Sequence, residues 1–464
     1  MTFISQSCKN QSACKTPTPP NIVLIIIDDL GYADISYTGQ MADVHTANID
    51  YLAEHGTLFT HAYATSPICN ASRLALMTGA YQQRQGQYWY SGPGMHDTSF
   101  VTIAEIVKNK GYTSTYIGKV HYGLNDHPDG RGFPLNHGFD SFYGFTSSTK
   151  HYLKHKKINQ TGKDMLFQGP MWIGNRQQDV DGFSTELFGE QACNYISAEK
   201  DDPFFLTVAF NAVHNYTYQL PSDFLKKNGL KGYPDYDPSK EEYWEWRKKL
   251  SYPSHPQGRE YYLGQLFYLD KEIGRIIQSL KENQILDNTA IILVSDNGGS
   301  LVTYANNTPL KGGKYTLFEG GIRVPLIISW PEKFRKRVIS DNIVSIMDIL
   351  PTVCEISGSK VPKNIDGIGL SSLLTGIDTT KQHEVLYWDT GLEMAIRQEN
   401  LKLLITKEIP NWRLQIVETP IGEFLFDLEK DPGEERDVRD DPETKQKLRS
   451  LLFGWKKSMM MDSL

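Results

Sequence analysis

The sequence is poor in cysteine, lacks a long apolar run and has no excess of positive charge. Its 464 residues include five cysteines, Cys8, Cys14, Cys69, Cys193 and Cys354. They are too few and too scattered for a disulfide framework or a thiolate-rich zinc site. The longest apolar stretch near the start, Ile22 to Ile27, falls far short of a membrane-spanning helix. No internal repeat or low-complexity tract is present, which excludes solenoid and array architectures. Lysine and arginine number 48 against 55 acidic residues, a formal charge of −7. That balance argues against a nucleic-acid partner or a general polyanion-binding surface. An anionic ligand would need a local cationic pocket.

What remains is an ordinary globular composition, long enough for one large domain and a smaller one. Residues 1–20 are polar, with Pro17, Pro19 and Pro20 ahead of the first strand, and read as a disordered or tethering segment. Cys8, after Phe3-Ile4-Ser5-Gln6-Ser7, is compatible with the remnant of a lipoprotein signal. Periplasmic, secreted or cell-surface residence is the expectation.

Strand-length apolar runs at Ile22–Ile27, Thr113–Ile117, Phe204–Phe210, Ala290–Val294 and Val324–Ser329 alternate with helical patterns. The latter cover Thr46–His55, Ser99–Lys110, Thr185–Ala198 and Tyr261–Glu282. The alternation predicts an α/β fold: a large, mixed, mostly parallel sheet flanked by helices, spanning 21–380. From residue 381 the texture changes. Val385–Trp388, Met394–Arg397, Leu401–Thr406 and Glu423–Leu428 read as an antiparallel meander, and Pro442–Trp455 as a closing helix. A smaller C-terminal α+β subdomain over 381–464 is predicted.

Candidate chemistry follows the strands. Asp28-Asp29 comes after the first, Lys119 and His121 after the second, His214 after the third and Asp296-Asn297 after the fourth. Ligands of open α/β sheets bind at that carboxyl edge. Singly, each group has a bland reading: an Asp pair caps a helix, Asp296-Asn297-Gly298-Gly299 is an Asx turn, a histidine is a satisfied core group. Two adjacent carboxylates are costly unless a cation sits with them. Together Asp28, Asp29, Asp296 and Asn297 offer hard oxygen donors, suited to Ca²⁺, or less well Mg²⁺, rather than zinc. Lys119 and His121, two apart, point to one side of an extended segment. Lys311 and Lys314 lie in the glycine loop Leu310-Lys311-Gly312-Gly313-Lys314. Cys69, in Ser66-Pro67-Ile68-Cys69-Asn70-Ala71-Ser72-Arg73, stands where a helix begins, a position that favours an anion or reactive nucleophile. Arg73, at i+4, shares its face.

Cys69–Arg73, Thr78-Gly79, Gly118-Lys119-Val120-His121-Tyr122-Gly123, Ser295-Asp296-Asn297-Gly298 and Glu319-Gly320-Gly321-Ile322-Arg323-Val324-Pro325 occur in one characteristic order. With Asp28-Asp29-Leu30-Gly31 and Leu425–Glu434, they make the chain resemble type I, formylglycine-dependent sulfatases of the alkaline phosphatase superfamily, in particular bacterial carbohydrate sulfatases. The resemblance implies that a maturase, a transient partner, oxidises Cys69 to formylglycine, hydrated to a diol. Asp28, Asp29, Asp296 and Asn297 would hold Ca²⁺, with the Cys69-derived group as a further ligand. A diol oxygen would attack sulfur, steadied by Arg73, while Lys119 and Lys314 neutralise sulfate oxygens. His214 would protonate the leaving oxygen and His121 take the proton that releases sulfate. Ala71 departs from the proline that the oxygen-dependent maturase prefers, a position where the radical-type maturase tolerates alanine.

The implied substrate is a sulfated polysaccharide or oligosaccharide. Two loops are expected to bear on it. The segment 146–181 carries His151, Lys154, His155, Lys156, Lys157, Trp172 and Arg176, and a second insertion runs from Tyr233 to Tyr262. A solvated insertion is the plain alternative for the basic loop. Rival functions are a phosphonate monoester or phosphodiester hydrolase with the same nucleophile, and a non-catalytic glycan-binding protein on the same scaffold.

Overall fold

The computed structural model describes residues 19–124, 127–147, 152–154, 170–237, 239–380, 383–408, 417, 419–438 and 441–461. Cys8, Cys14, most of the expected tether, His151, His155, Lys156, Lys157 and the start of the expected second domain at 381 lie outside them.

Ten strands form the main sheet, in the order Val338–Ser340, Thr57–Phe59, Leu326–Ser329, Thr289–Ser295, Asn21–Ile27, Phe204–Phe210, Thr113–Lys119, Ser141–Phe145, Met171–Ile173, Arg176–Gln178. The five from Thr289–Ser295 to Ser141–Phe145 are mutually parallel. Every residue of Asn21–Ile27 is buried, as a central parallel strand covered on both faces requires. Its side chains alternate between two cores. Val23, Ile25 and Ile27 join Leu206, Val208, Ile291 and Leu293 on one side. Ile22, Leu24 and Ile26 join Phe205, Ala290, Ile292 and Val294 on the other. Helices Ala47–Glu54, Ser184–Ser197 and Gly258–Glu282 cover the first face; Cys69–Thr78, Ile103–Lys108 and Ile349–Ser357 cover the second. Among the described residues no helix is long and apolar enough to cross a membrane.

Three boundaries differ from the periodicity, each for a local reason. The helix expected from Ser99 begins at Ile103, because Thr102 caps it and exchanges hydrogen bonds with Glu105 in a capping box. The helix expected from Tyr261 starts at Gly258, where any side chain would run into the Tyr304 ring. The strand expected from Val324 starts after Pro325 and runs antiparallel, a direction that an apolar run does not encode.

The 146–181 segment is also redirected. Met171–Ile173 and Arg176–Gln178 form the sheet's outer hairpin, with Trp172 packed edge-on against Phe133 at 5.3 Å and Arg176 exposed on the last strand. Trp172 is half-buried there, packed against the edge of the core.

At the C-terminus, Val385–Asp389, Glu393–Gln398, Leu401–Thr406 and Gly422–Asp427 pair antiparallel in sequence order, as predicted. One face holds helix Pro442–Met461 through Leu448 and Leu452. The other packs Leu386, Trp388, Leu404 and Phe426 on Tyr63, Leu317, Phe318 and Ile322. A buried ionic cluster crosses this junction. Lys402 Nζ lies 3.0 Å from Glu319 Oε1 and 2.8 Å from Glu434 Oε1, with all three side chains fully buried. Glu434 also accepts the Glu319 backbone N–H at 2.6 Å. Two of the segments that carry the resemblance, around Glu319 and around Glu434, thus serve assembly. Removing one partner of a buried cluster costs about 3–5 kcal/mol, because the remaining charges stay uncompensated. Lys402→Met is expected to lower the thermal unfolding temperature by several degrees; an unfolding curve that overlays the wild type would refute this role.

Candidate active site

Four adjacent parallel strands deliver the expected residues to one edge. Asp28-Asp29, Lys119-Val120-His121, Asn211–His214 and Asp296-Asn297 all follow carboxyl ends of neighbouring strands. Backbone bonds stitch the edge: the Asp28 N–H donates to Ala212 O at 3.1 Å, Val213 to Asp28 O at 2.9 Å and Asp296 to Ile27 O at 3.1 Å. Asp29 and His121 take left-handed backbone angles, φ 63° and 53°, turning the chain sharply as it leaves each strand. Gly118 has φ +106°, and a Cβ there would lie 2.0 Å from Ala209 O, so only glycine lets the neighbouring strands meet beside Lys119.

Helix Cys69–Thr78 begins at the cysteine and ends at Gly79, whose φ of 66° makes the left-handed cap. Cys69 is 1% exposed. Its Sγ is 3.6 Å from Lys314 Nζ, and it shares a cluster with Asp28 and His214 whose ligand atoms all lie within 4.8 Å of one another. Asp28, Asp29 and Asp296 form a second such cluster. Arg73, one turn on, donates from Nε to Asp296 Oδ2 at 2.6 Å and from Nη1 to Lys119 O at 2.7 Å. Its Nη2 is 3.8 Å from Asp28 Oδ1. Lys119 Nζ donates to Asp28 Oδ2 at 2.5 Å, and Lys314 Nζ lies 2.7 Å from Asp29 Oδ1. Asn297 Nδ2 donates to Asp29 Oδ1 at 2.8 Å, and His214 Nε2 is 3.6 Å from Asp29 Oδ2. Lys311, by contrast, turns to the backbone of Glu434 and the side chain of Glu435, so Lys314 is the lysine of this loop that reaches the pocket.

The electrostatics follow from burial. Burial pushes Asp28 up to about 7, against the pull of Lys119 and with the support of Asp296 and Asp29. Burial also acts to raise Asp296, but Arg73, Lys119 and Lys314 outweigh it and hold that carboxyl below its usual range. Lys314 stays well above the ordinary lysine value because Asp29 and Cys69 overcome its desolvation. Burial, then Lys119 and Arg73, keeps His121 neutral; burial, then Lys314 and Lys119, does the same for His214. The thiol departs from the helix-terminus expectation. Burial raises Cys69, with Lys119 and Lys314 opposing only in part, so the unmodified side chain is a protonated thiol and not an activated thiolate.

Three carboxylates and three cations nearly neutralise the pocket. Yet Asp28 Oδ1 and Asn297 Oδ1 are buried without a hydrogen-bond partner. Two orphaned oxygens beside two further carboxylates match the donor set of a hard divalent cation, with the His214 imidazole close to the same cluster.

The sequence pattern did not point to the aromatic wall. Tyr90 stacks on His121 with centroids 6.1 Å apart and planes 24° off parallel. Tyr315, next to Lys314, lies 6.4 Å from both Trp89 and Tyr90. The run Tyr88-Trp89-Tyr90 is visible in the sequence, but nothing local ties it to His121.

Comparison with known proteins identifies the family. The sulfatase family model matches residues 20–359, and the model described as N-sulphoglucosamine sulphohydrolase, C-terminal, matches 313–457. The chain is 30% identical to N-acetylgalactosamine-6-sulfatase of Mus musculus, over 91% of this chain and 82% of that protein. It is 28% identical to arylsulfatase A of Bos taurus, over 94% and 87%. The crystal structure of Ps i-CgsB in complex with k-i-k-neocarrahexaose superposes with a TM-score of 0.79 at 28% identity, covering 96% of this chain and 94% of that one. The chain belongs to the sulfatase family: it is a sulfuric ester hydrolase of the type I, alkaline phosphatase-like group.

Proposed function

We propose that this sulfatase removes sulfate from a sulfated saccharide, using a formylglycine derived from Cys69 and a calcium ion held by Asp28, Asp29, Asp296 and Asn297. The observation that carries the reading is the convergence of Cys69, three carboxylates and three cations in one buried pocket at the sheet's edge. The two orphaned oxygens support an oxygen-ligated ion, and calcium's larger coordination number favours it over magnesium. The saccharide class is supported by the relative's name, N-acetylgalactosamine-6-sulfatase, and by the carrahexaose bound to the structural neighbour.

When present, the converted side chain supplies an oxygen nucleophile and the calcium ion a positive field that polarises it and the sulfate. The chain's own residues do the rest. Arg73 is locked by Asp296 and the Lys119 carbonyl, so it can fix the side chain at 69. Lys314, already 3.6 Å from position 69, and Lys119 bind sulfate oxygens as charge shifts in the transition state. His214 gives a proton to the leaving alcohol oxygen. Burial, then Lys314 and Lys119, depresses its imidazole; an arriving anionic ester opposes the cationic part of that push and so favours the protonated form. His121, neutral and with Nδ1 unpartnered, accepts the proton whose loss frees sulfate. The maturase must reach Cys69 before the fold closes over it, and Ala71 directs that step to a host whose maturase accepts alanine.

Cys69→Ala should abolish turnover with no loss of thermal stability, since it deletes one sulfur from a polar pocket; retained activity would refute the mechanism. The peptide containing Cys69, isolated from active enzyme, should carry the mass of the aldehyde. His214→Ala should cost about 10²–10⁴-fold on sugar sulfates and far less on aryl sulfates, whose phenolate leaves unaided; equal losses would remove it from the acid role. Dialysis against a calcium chelator should eliminate activity, with Ca²⁺ restoring more than Mg²⁺. A phosphonate or phosphodiester hydrolysed orders of magnitude faster than any sulfate ester would assign the site to that chemistry instead.

A further inference from the structure

The Tyr233–Tyr262 insertion carries a cation, Arg247, to the residue that follows His214. Its helix, Tyr243–Lys249, ends in Arg247, Lys248 and Lys249. Lys248 pairs with Glu245 at 2.9 Å and Lys249 with Glu241 at 2.5 Å, both near solvent. Half-buried Arg247 turns inward and, among the described residues, has no carboxylate partner. Its Nη2 donates to Asn215 Oδ1, on the residue that follows His214. A guanidinium bonded only to a neutral amide keeps most of its charge and several N–H groups for another acceptor.

The helix is held firmly in that place. Trp246, 2% exposed, packs against Tyr216, Tyr218, Tyr236 and Tyr243 at centroid distances of 5.6–6.2 Å. Its indole N–H donates to Pro234 O at 3.2 Å, and the Tyr216 and Tyr243 hydroxyls meet at 3.1 Å. Tyr216 and Tyr218 belong to the segment that leaves His214, so the insertion and the acid-bearing loop share one aromatic cluster. Such anchoring fixes the Arg247 fork before a ligand arrives, which lowers the entropy cost of using it.

We infer that Arg247 is a specificity-determining residue that binds a second anionic substituent, a sulfate or a carboxylate, on the sugar whose leaving oxygen faces His214. The inference rests on the proposed saccharide sulfatase activity and adds the substrate's second charge. Arginine suits either group, because both present two oxygens to its planar fork.

The test compares three probes with the matured, calcium-loaded enzyme: a monosulfated N-acetylhexosamine, its disulfated counterpart, and a monosulfated disaccharide carrying a neighbouring uronic acid. The wild type should prefer one doubly anionic probe, and which one it prefers distinguishes sulfate from carboxylate. Arg247→Met should erase that preference, lowering kcat/KM on the preferred probe by about 10- to 100-fold, chiefly through KM, and much less on the monosulfated sugar. Arg247→Lys should recover part of the difference. Equal losses on all three probes would show that Arg247 merely holds the Asn215 loop, and a wild type indifferent to the second charge would also overturn the inference. Should Arg247→Met not fold, inhibition of the wild type by desulfated sugars with and without the second anion decides the same question. Absence of sulfate release from every probe would instead defeat the hydrolase reading; calorimetric binding of the three probes to wild type and Arg247→Lys then still tests Arg247.

Discussion

Three carboxylates packed at the end of a hydrophobic sheet must be neutralised, and the rest of the site is arranged around that necessity. Asp28, Asp29 and Asp296 are all fully or almost fully buried. Desolvation, reinforced by their mutual repulsion, pushes Asp28 up to about 7 even beside Lys119. Arg73, Lys119 and Lys314 each come from a different part of the chain to meet one of them. Because each cation is bonded to a carboxylate, a change at any one of the six moves the charge of its neighbours. The same compensation gives a chain of net charge −7 a pocket able to receive an anion.

That arrangement leaves a specific deficit. Asp28 Oδ1 and Asn297 Oδ1 have no hydrogen-bond partner, although buried oxygens in folded proteins nearly always do. Cys69 points into the same space as a protonated thiol, a poor nucleophile that is also out of solvent's reach. Both features make sense for a pocket completed by an oxygen-seeking cation and by chemical conversion of position 69. Among the described residues, Arg247 adds a further positive charge, carried on an insertion outside the sheet and bonded to the residue next to His214.

Support for the site extends to the C-terminal sheet. Glu319 follows the Lys314 loop by five residues and is held by Lys402 of that sheet, with Glu434 completing the cluster. Tyr63 donates to Glu319 Oε2 at 2.6 Å from the opposite side. The loop that presents Lys314 is therefore bounded by a buried ionic joint, which explains why a glycine-rich stretch can act as a rigid ligand rather than a mobile flap.

The linear chain already determined a good deal by itself. Strand-length apolar runs bordered by chemistry-bearing residues dictated a parallel sheet with a site at its carboxyl edge, since both signals are local. The order of short motifs pointed to Cys69, Arg73, Lys119, His121, His214, Lys314 and the four oxygen donors, and the fold brings them together. Tertiary structure alone decided the rest. It ran Leu326–Ser329 antiparallel, packed Trp172 against Phe133, set Tyr90 on His121 and carried Arg247 to the residue beside His214. Each of these depends on partners distant in sequence or on strand direction, and periodicity encodes only which face of an element is apolar.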